Sequence, residues 1–384
     1  MNDPLPKELT IVTPWISRDG GGVSESVRLL ATAMAGPGYY RITIVTTRDA
    51  HFEEDRKALP DGIRVHAFPY FGPANYRFSP GMLWHMLFSK AKIVHVHGLW
   101  MFHCLAVLAW SFRGKPYVVS PHGMLEEWIL RRSPRLKAIV SSLYQGLFLR
   151  RAAGFHALTN KEVHDIKLQI PDARCEIIPN YASVPKSDGR KPRWWRPTMD
   201  GRKIYLFLGR IHEKKGWREL LEAWEALSAA DENFSRYSCL IYAGWLDGSY
   251  DLEDLVGKAF LKSQNVYYVG PQFGLAKYMT IHAADFVLLP SKSEGLPMVI
   301  LEAWAASKPV IMTPECNLPV GFAAGAAIQT GDSVDEIMAA LLTADGLSPD
   351  DLKTMGEAAR AVVGEYFSEE AVAQKMTKLY KSVT

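Results

Sequence analysis

Apolar residues along the chain fall into short runs separated by longer amphipathic stretches. Residues 9–14 (LTIVTP), 42–46 (ITIVT), Ile93–His97 (IVHVH), Tyr117–Ser120 (YVVS) and 154–158 (GFHAL) read as strands. Most are nearly continuous in Val, Ile and other apolar residues, the pattern of strands covered on both faces. Between the first two, Val23, Val27, Leu30 and Met34 recur at helical spacing. The rhythm breaks at residues 181–203 (YASVPKSDGRKPRWWRPTMDGRK), whose three prolines, many charges and weak periodicity read as a linker. A second series follows: 204–208 (IYLFL), 239–243 (CLIYA), 266–269 (VYYV), Phe286–Leu289 (FVLL) and 309–312 (PVIM), with helices between. Strands alternating with helices predict an α/β chain of two doubly wound units of similar size. Ligands of such sheets bind beyond the carboxyl ends of the strands, so a cleft between the units is the expected site.

A length of 384 residues agrees with two domains. At 48% hydrophobic and 22% charged, the chain is globular rather than disordered. No apolar run reaches the roughly 18 residues of a membrane span, and the longest, 98–112, carries His103. The start, MNDPLPKELT, has acids where a secretory signal needs basic residues, and the apolar stretch at Ile11–Val12 is too short, so a cytoplasmic protein is expected. Cys104, Cys175, Cys239 and Cys316 are widely spaced and form no C-x-x-C pair, which argues against a zinc site or disulfide framework. The net charge of +3 is unevenly spread: residues 1–180 hold 22 Lys+Arg against 15 Asp+Glu, and residues 181–384 hold 22 against 26. A basic first half suits nucleic acid, phospholipid or a charged substrate, and equally an ordinary surface.

Four places carry candidate chemistry. Gly20-Gly21-Gly22 lies between the first strand and first helix, either a plain turn or a loop whose amides meet a phosphate. It is neither G-x-G-x-x-G nor a P-loop. Gly209-Arg210 with Lys215-Gly216 puts two cations just past a buried strand, where they could hold a diphosphate or form a solvated basic turn. In PSKSEGLPMVILEAWAASKPVI, Glu294 stands at a strand end before a helix over 297–306, and Glu302 lies within that helix among Ile300, Leu301 and Ala303. A carboxylate in so apolar a stretch needs a partner unless it faces solvent. His122 closes the strand Tyr117–Ser120, aimed at the expected cleft or bonded within its own turn.

Taken together, the set resembles the GT-B-fold glycosyltransferases, most closely the retaining group called glycosyltransferase family 4. The resemblance spans nearly the whole chain and rests on Gly20–Gly22, His122, Gly209-Arg210 with Lys215-Gly216, and the E-x7-E motif of Glu294 and Glu302. The pieces HGLW, SPHGML and TPECNLP look like members that build bacterial surface polysaccharides. The resemblance implies two Rossmann-like domains, 1–183 and 204–366, joined by a linker at 184–203, with 367–384 returning to the first. It implies a nucleotide-diphosphate sugar as co-substrate, no other cofactor, and a saccharide or lipid-linked acceptor in exopolysaccharide or lipopolysaccharide assembly. Nucleic acid is not an implied partner.

Site roles follow from the same resemblance. Arg210 and Lys215 would neutralise the diphosphate, and the amides of Gly21 and Gly22 would touch it. Glu294 would lie at the sugar, the amides around Gly295, Leu296, Pro297 and Met298 would contact sugar and phosphate, and His122 would reach the sugar. Glu302 would bind the ribose, and Gly270-Pro271 would meet the base. Arg210, Lys215 and the N–H dipoles are suited to the charge that develops on a departing phosphate. No Asp-x-Asp pair is present, so no metal is expected. The sequence departs from many relatives at Pro179-Asn180-Tyr181, where they have Pro-Asn-Gly.

Two competing readings share this fold: a nucleotide-sugar 2-epimerase and a non-catalytic nucleotide-sugar-binding protein. The missing glycine fingerprint argues against a nicotinamide dehydrogenase. Residues 127–151 interleave Arg131, Arg132, Arg135, Lys137, Arg150 and Arg151 with apolar residues. The apolar face is expected to pack on the first sheet, leaving the arginines at 131–135 and Lys137 for peripheral contact with an anionic membrane.

Overall fold

The computed structural model describes residues 7–36, 40–245 and 265–384. They form two compact units, one of residues 1–180 with 369–384 and the other of 181–368. The first unit is built on seven parallel strands in the order β3-β2-β1-β4-β5-β6-β7. These are β1 (Lys7–Val12), β2 (Tyr40–Thr47), β3 (Arg64–Phe68), β4 (Ile93–His97), β5 (Tyr117–Ser120), β6 (Gly154–Ala157) and β7 (Cys175–Ile177). The second holds six parallel strands in the order β10-β9-β8-β11-β12-β13. They are β8 (Lys203–Leu208), β9 (Ser238–Ala243), β10 (Val266–Tyr268), β11 (Phe286–Leu289), β12 (Val310–Met312) and β13 (Ala327–Gln329). The strand order reverses at β1/β4 in one sheet and at β8/β11 in the other. At such a switch point adjacent connections diverge to opposite faces and leave a crevice at the carboxyl ends.

Central strands are buried along their whole length, as in β4, β5, β9 and β11. The three strands that the apolar runs did not announce are at sheet edges. RVHAF in β3, CEI in β7 and AIQ in β13 contain no fully buried residue, so they carry no continuous apolar run. Residues 184–203, which read as a linker, are packed into the second unit. Met199 is fully buried, and the Trp194 indole N–H donates to Thr280 Oγ1 at 2.9 Å. The helix Glu369–Val383 belongs to the first unit, where Val372, Ala373, Met376, Leu379 and Tyr380 are buried. Among the described residues no helix is long and apolar enough to cross a membrane.

Histidines fill the polar part of the first unit's interior. His95, His97, His103 and His156 are all buried. His156 Nε2 contacts the Ile178 carbonyl at 2.7 Å, so this nitrogen carries the proton and Nδ1 accepts. Ser120 Oγ, 2.7 Å from Nδ1, then donates to it, and His95 Nε2, 2.7 Å from the same oxygen, donates in turn. The relay ends with the Tyr380 hydroxyl donating to His95 Nδ1 at 2.7 Å. Every member is satisfied only while the two imidazoles are neutral.

Burial lowers all of these pKa values: His103 and His156 to about 4, His95 and His97 well below the ordinary 6.5. Neutral buried histidines give stability that is complete above pH 6.5 and lost as pH falls from there toward the folded values. The second unit has no fully buried histidine among its described residues. Amide exchange at about pH 7.5 and about pH 5, corrected for intrinsic rate, should therefore show protection falling further in β4–β6 than in β8, β9 and β11. Equal loss in both units would contradict this account.

Candidate active site

Backbone close approach sets the second unit's crevice. Gly209 N–H donates to the Ala243 carbonyl at 2.9 Å, and Gly244 N–H to the Gly270 carbonyl at 3.0 Å, which laces together the exits of β8, β9 and β10. A Cβ on Gly244 would lie 1.7 Å from the Gly209 carbonyl oxygen, so only glycine fits. Gly216 is left-handed (φ +66°), and a Cβ there would lie 2.1 Å from the Pro290 carbonyl oxygen. This presses the turn before the helix Trp217–Ala230 onto the exit loop of β11.

The two loops then share their charges. Lys215 Nζ lies 2.5 Å from Glu294 Oε1, and Ser291 Oγ donates to the same oxygen at 2.6 Å. Lys292 N–H donates to the Lys214 carbonyl at 2.8 Å. The Glu294 carboxylate is mostly buried and Lys215 partly so, which strengthens the pair relative to a surface one. Arg210 is exposed on the same β8 exit. Asn317, left-handed at φ +57°, donates from Nδ2 to the Glu294 and Gly295 carbonyls at 2.6 and 3.2 Å and so holds the loop from the β12 side.

Gly295 and Leu296 lead to Pro297, the N-cap of the helix Met298–Ala305. Gly295 is exposed with open space where a side chain would be, so its backbone is accessible. The first amides of the helix have no intrahelical acceptor and face an anion favourably. Glu302 is buried one turn further along. Its partner is Lys277 of the helix Gly274–Ala283, with Nζ 2.5 Å from Oε1. Gly270 (φ +72°) and Pro271 leave β10 beside a cavity of about 750 Å³ lined by Arg190, Arg193, Trp194 and Gln272.

In the first unit, Gly21 and Gly22 are already in the helix Gly21–Ala35, and Gly20 is its N-cap, so the glycine turn is a helix start. Both are exposed, and a Cβ at either would meet nothing within 4 Å. The approach to them is fastened by a buried ion pair, Arg77 Nη1 to Asp49 Oδ2 at 3.2 Å. Ser17 Oγ donates to the same Asp49 oxygen at 2.7 Å. The Arg77 guanidinium also lies over the rings of Trp15 and Tyr70.

His122 follows β5 in the left-handed region (φ +54°), as does Gly123 (φ +73°). A histidine in that region persists only if the surroundings hold it. Glu162 does so: Oε1 accepts from Gly123 N–H at 2.8 Å and Oε2 from Leu158 N–H at 2.7 Å. The His122 ring stacks on His97, with Nε2 2.9 Å from His97 Nδ1, and burial pushes its pKa down to about 3. Among the described residues, no three His, Cys, Asp or Glu side chains converge as a metal site would require.

Lys277, Ser291, Asn317, Arg77, Asp49, Glu162 and His97 do not stand out in the sequence. Thr159 followed three residues later by Glu162 has the spacing of a capping box, but the carboxylate bonds Leu158 and Gly123 instead. The apolar face of 127–151 also divides differently from expectation. Tyr144, Phe148 and Leu149 are buried, while Leu136, Ile139, Leu143 and Leu147 are exposed together with Arg131, Arg132 and Arg135.

Comparison with known proteins identifies the family and the fold. Residues 21–181 match the glycosyl transferase 4-like domain, and residues 202–344 match glycosyl transferases group 1. The GDP-mannose:cellobiosyl-diphosphopolyprenol alpha-mannosyltransferase of Xanthomonas oryzae pv. oryzae is 23% identical over 94% of both chains. The protein of that name from Xanthomonas campestris is 26% identical over 74% of this chain and 73% of its own. Among solved structures, HepE of Anabaena, crystallised with UDP and glucose, superposes with a TM-score of 0.73 at 14% identity, covering 98% of this chain and 100% of its own. Sucrose-phosphate synthase of Thermosynechococcus elongatus gives 0.73 at 18% identity, covering 98% of this chain and 99% of its own. With two family domains matched in order over most of its length and the fold shared with these proteins, the chain belongs to the GT-B glycosyltransferases of family 4 type.

Proposed function

We propose that the enzyme transfers a hexose-type sugar, with retention at the anomeric carbon, from a nucleotide-diphosphate donor to a saccharide or lipid-linked acceptor in bacterial exopolysaccharide or lipopolysaccharide assembly. The observation that carries this reading is the β8/β11 switch point, where Arg210, Lys215 and the head of the helix Met298–Ala305 occur together. Breaking the sugar–phosphate bond moves negative charge onto the phosphate. Two cations and fixed N–H dipoles lower the barrier by stabilising that charge. Lys215 gives one N–H to Glu294 and keeps two for the phosphate.

Glu294 serves the sugar, with its Oε1 held in place by an ammonium and a hydroxyl. The departing phosphate oxygen then takes the acceptor proton as the acceptor oxygen bonds the anomeric carbon on the same face. Glu302, fixed by Lys277, takes the ribose, Gly270 and Pro271 the base, His122 the sugar, and the amides of Gly21 and Gly22 the phosphate. Charge neutralisation by Arg210 and Lys215 makes a divalent metal unnecessary.

A lipid-linked acceptor is supported by the name of the Xanthomonas relatives, which act on a diphosphopolyprenol-linked sugar. It is supported also by the exposed stripe of Leu136, Ile139, Leu143 and Leu147 beside Arg131, Arg132 and Arg135. An apolar stripe with basic neighbours suits the interface of an anionic membrane.

Changing Arg210 or Lys215 to Ala should raise the transfer barrier by about 2–4 kcal/mol, roughly 30-fold to 1,000-fold in rate. Near-normal turnover in either variant overturns the diphosphate assignment. Transfer should proceed unchanged in EDTA, and activity lost there but restored by magnesium or manganese would refute metal independence. In vesicle co-sedimentation at low salt, the wild type should pellet with anionic lipid and not with neutral lipid. Replacing Leu136, Ile139 and Leu143 together by Ser, or Arg131, Arg132 and Arg135 together by Ser, should weaken it. Sedimentation independent of lipid charge, or none, argues for a soluble acceptor.

A further inference from the structure

His97 and His122 form a hydrogen bond whose direction the surroundings can decide. The contact, His97 Nδ1 to His122 Nε2 at 2.9 Å, uses one proton, carried by one ring or the other. His97 is almost wholly buried, and its other nitrogen, Nε2, meets no hydrogen-bond partner among the described residues. If Nε2 held the proton, a buried N–H would be left without an acceptor, the rarer and more costly kind of orphan. With the proton on Nδ1, only a lone pair is left unmet, and the N–H donates to His122.

From this we infer that His97 is a positioning residue that fixes His122 in the tautomer with Nε2 bare and Nδ1 protonated. His122 then presents a fixed N–H donor at Nδ1, which makes no hydrogen bond among the described residues. The matching ligand chemistry is a hydroxyl oxygen acting as acceptor. The role of this donor in transfer rests on the proposed reading that places His122 at the sugar. Independent features hold the geometry: the rings stack with centroids 5.1 Å apart, and Glu162 holds the left-handed turn at Gly123. His95 also packs on His97, with ring centroids 4.2 Å apart. Both His97 and His122 stay neutral at ordinary pH because burial disfavours the imidazolium.

The test reads the tautomer directly. Long-range proton–nitrogen correlation on [15N]histidine-labelled wild type, with His122 assigned from its loss in His122→Gln, should show a protonated Nδ1 and a bare Nε2. A protonated Nε2 overturns the inference without reference to activity. In transfer assays His97→Leu should lower kcat/KM for the donor by about tenfold or more. His97→Asn should restore most of it, because its amide nitrogen occupies the Nδ1 position and can still donate. Equal activity in the Leu and Asn variants, whether high or low, overturns the positioning role. Unchanged transfer by His122→Ala overturns the reading on which that role rests. Normal dependence on His122 with the wrong tautomer overturns the inference alone.

Discussion

The second unit's site depends on the contact of two main chains, Gly216 against the carbonyl of Pro290. No side chain could occupy that space, so the turn before the helix Trp217–Ala230 can lie on the exit loop of β11. Once it does, Lys215 is within reach of Glu294, and Lys292 of the Lys214 carbonyl. Asn317 completes the clamp from the next strand. Electrostatics thus follow from backbone packing here: the ion pair forms because glycine lets the loops touch, and the pair then keeps both groups in one orientation.

The two units solve the same topological problem with opposite charge states. The second arranges ammonium–carboxylate pairs, Lys215 with Glu294 and Lys277 with Glu302, on loops and helices where part of each lysine remains in water. The first places imidazoles on or just beyond fully buried strands, where a charge would lose most of its hydration. There His95 and His156 act as neutral donors and acceptors in a satisfied relay. The buried Arg77–Asp49 pair is an exception, and its desolvation is offset by hydrogen bonds to Thr47, Ser17 and the Pro14 carbonyl together with two aromatic faces.

The central strands are legible in the sequence because burial on both faces leaves apolar runs such as IVHVH and FVLL. Three of the four edge strands are not, since RVHAF, CEI and AIQ alternate or lie half in solvent. Glu294 and Glu302 stand out by position, at a strand end and inside an apolar helix. Lys215 stands out too, but the lysine partner of Glu302 cannot be separated from the chain's other cations, because Lys277 lies in a helix whose sequence, GLAKYMTIHA, looks ordinary. The glycine triplet marks the break after β1, but three glycines in a row do not distinguish a loop from a helix start. For residues 127–151, periodicity identifies a two-sided helix-like segment without saying which apolar residues face inward. Only the core contacts of Tyr144, Phe148 and Leu149 decide that.

The hydroxyl of Tyr380 completes a hydrogen-bond relay by bonding His95, 285 residues earlier in the chain. Every residue of the second unit lies between them. During synthesis the first unit must therefore wait, with the His95 nitrogen and the sheet face at Gly154 uncovered, until the second unit has been made. The molecule is thus finished in reverse order: the unit translated first is sealed last. Until then the part of the nascent sheet that the helix Glu369–Val383 covers is open to misassembly.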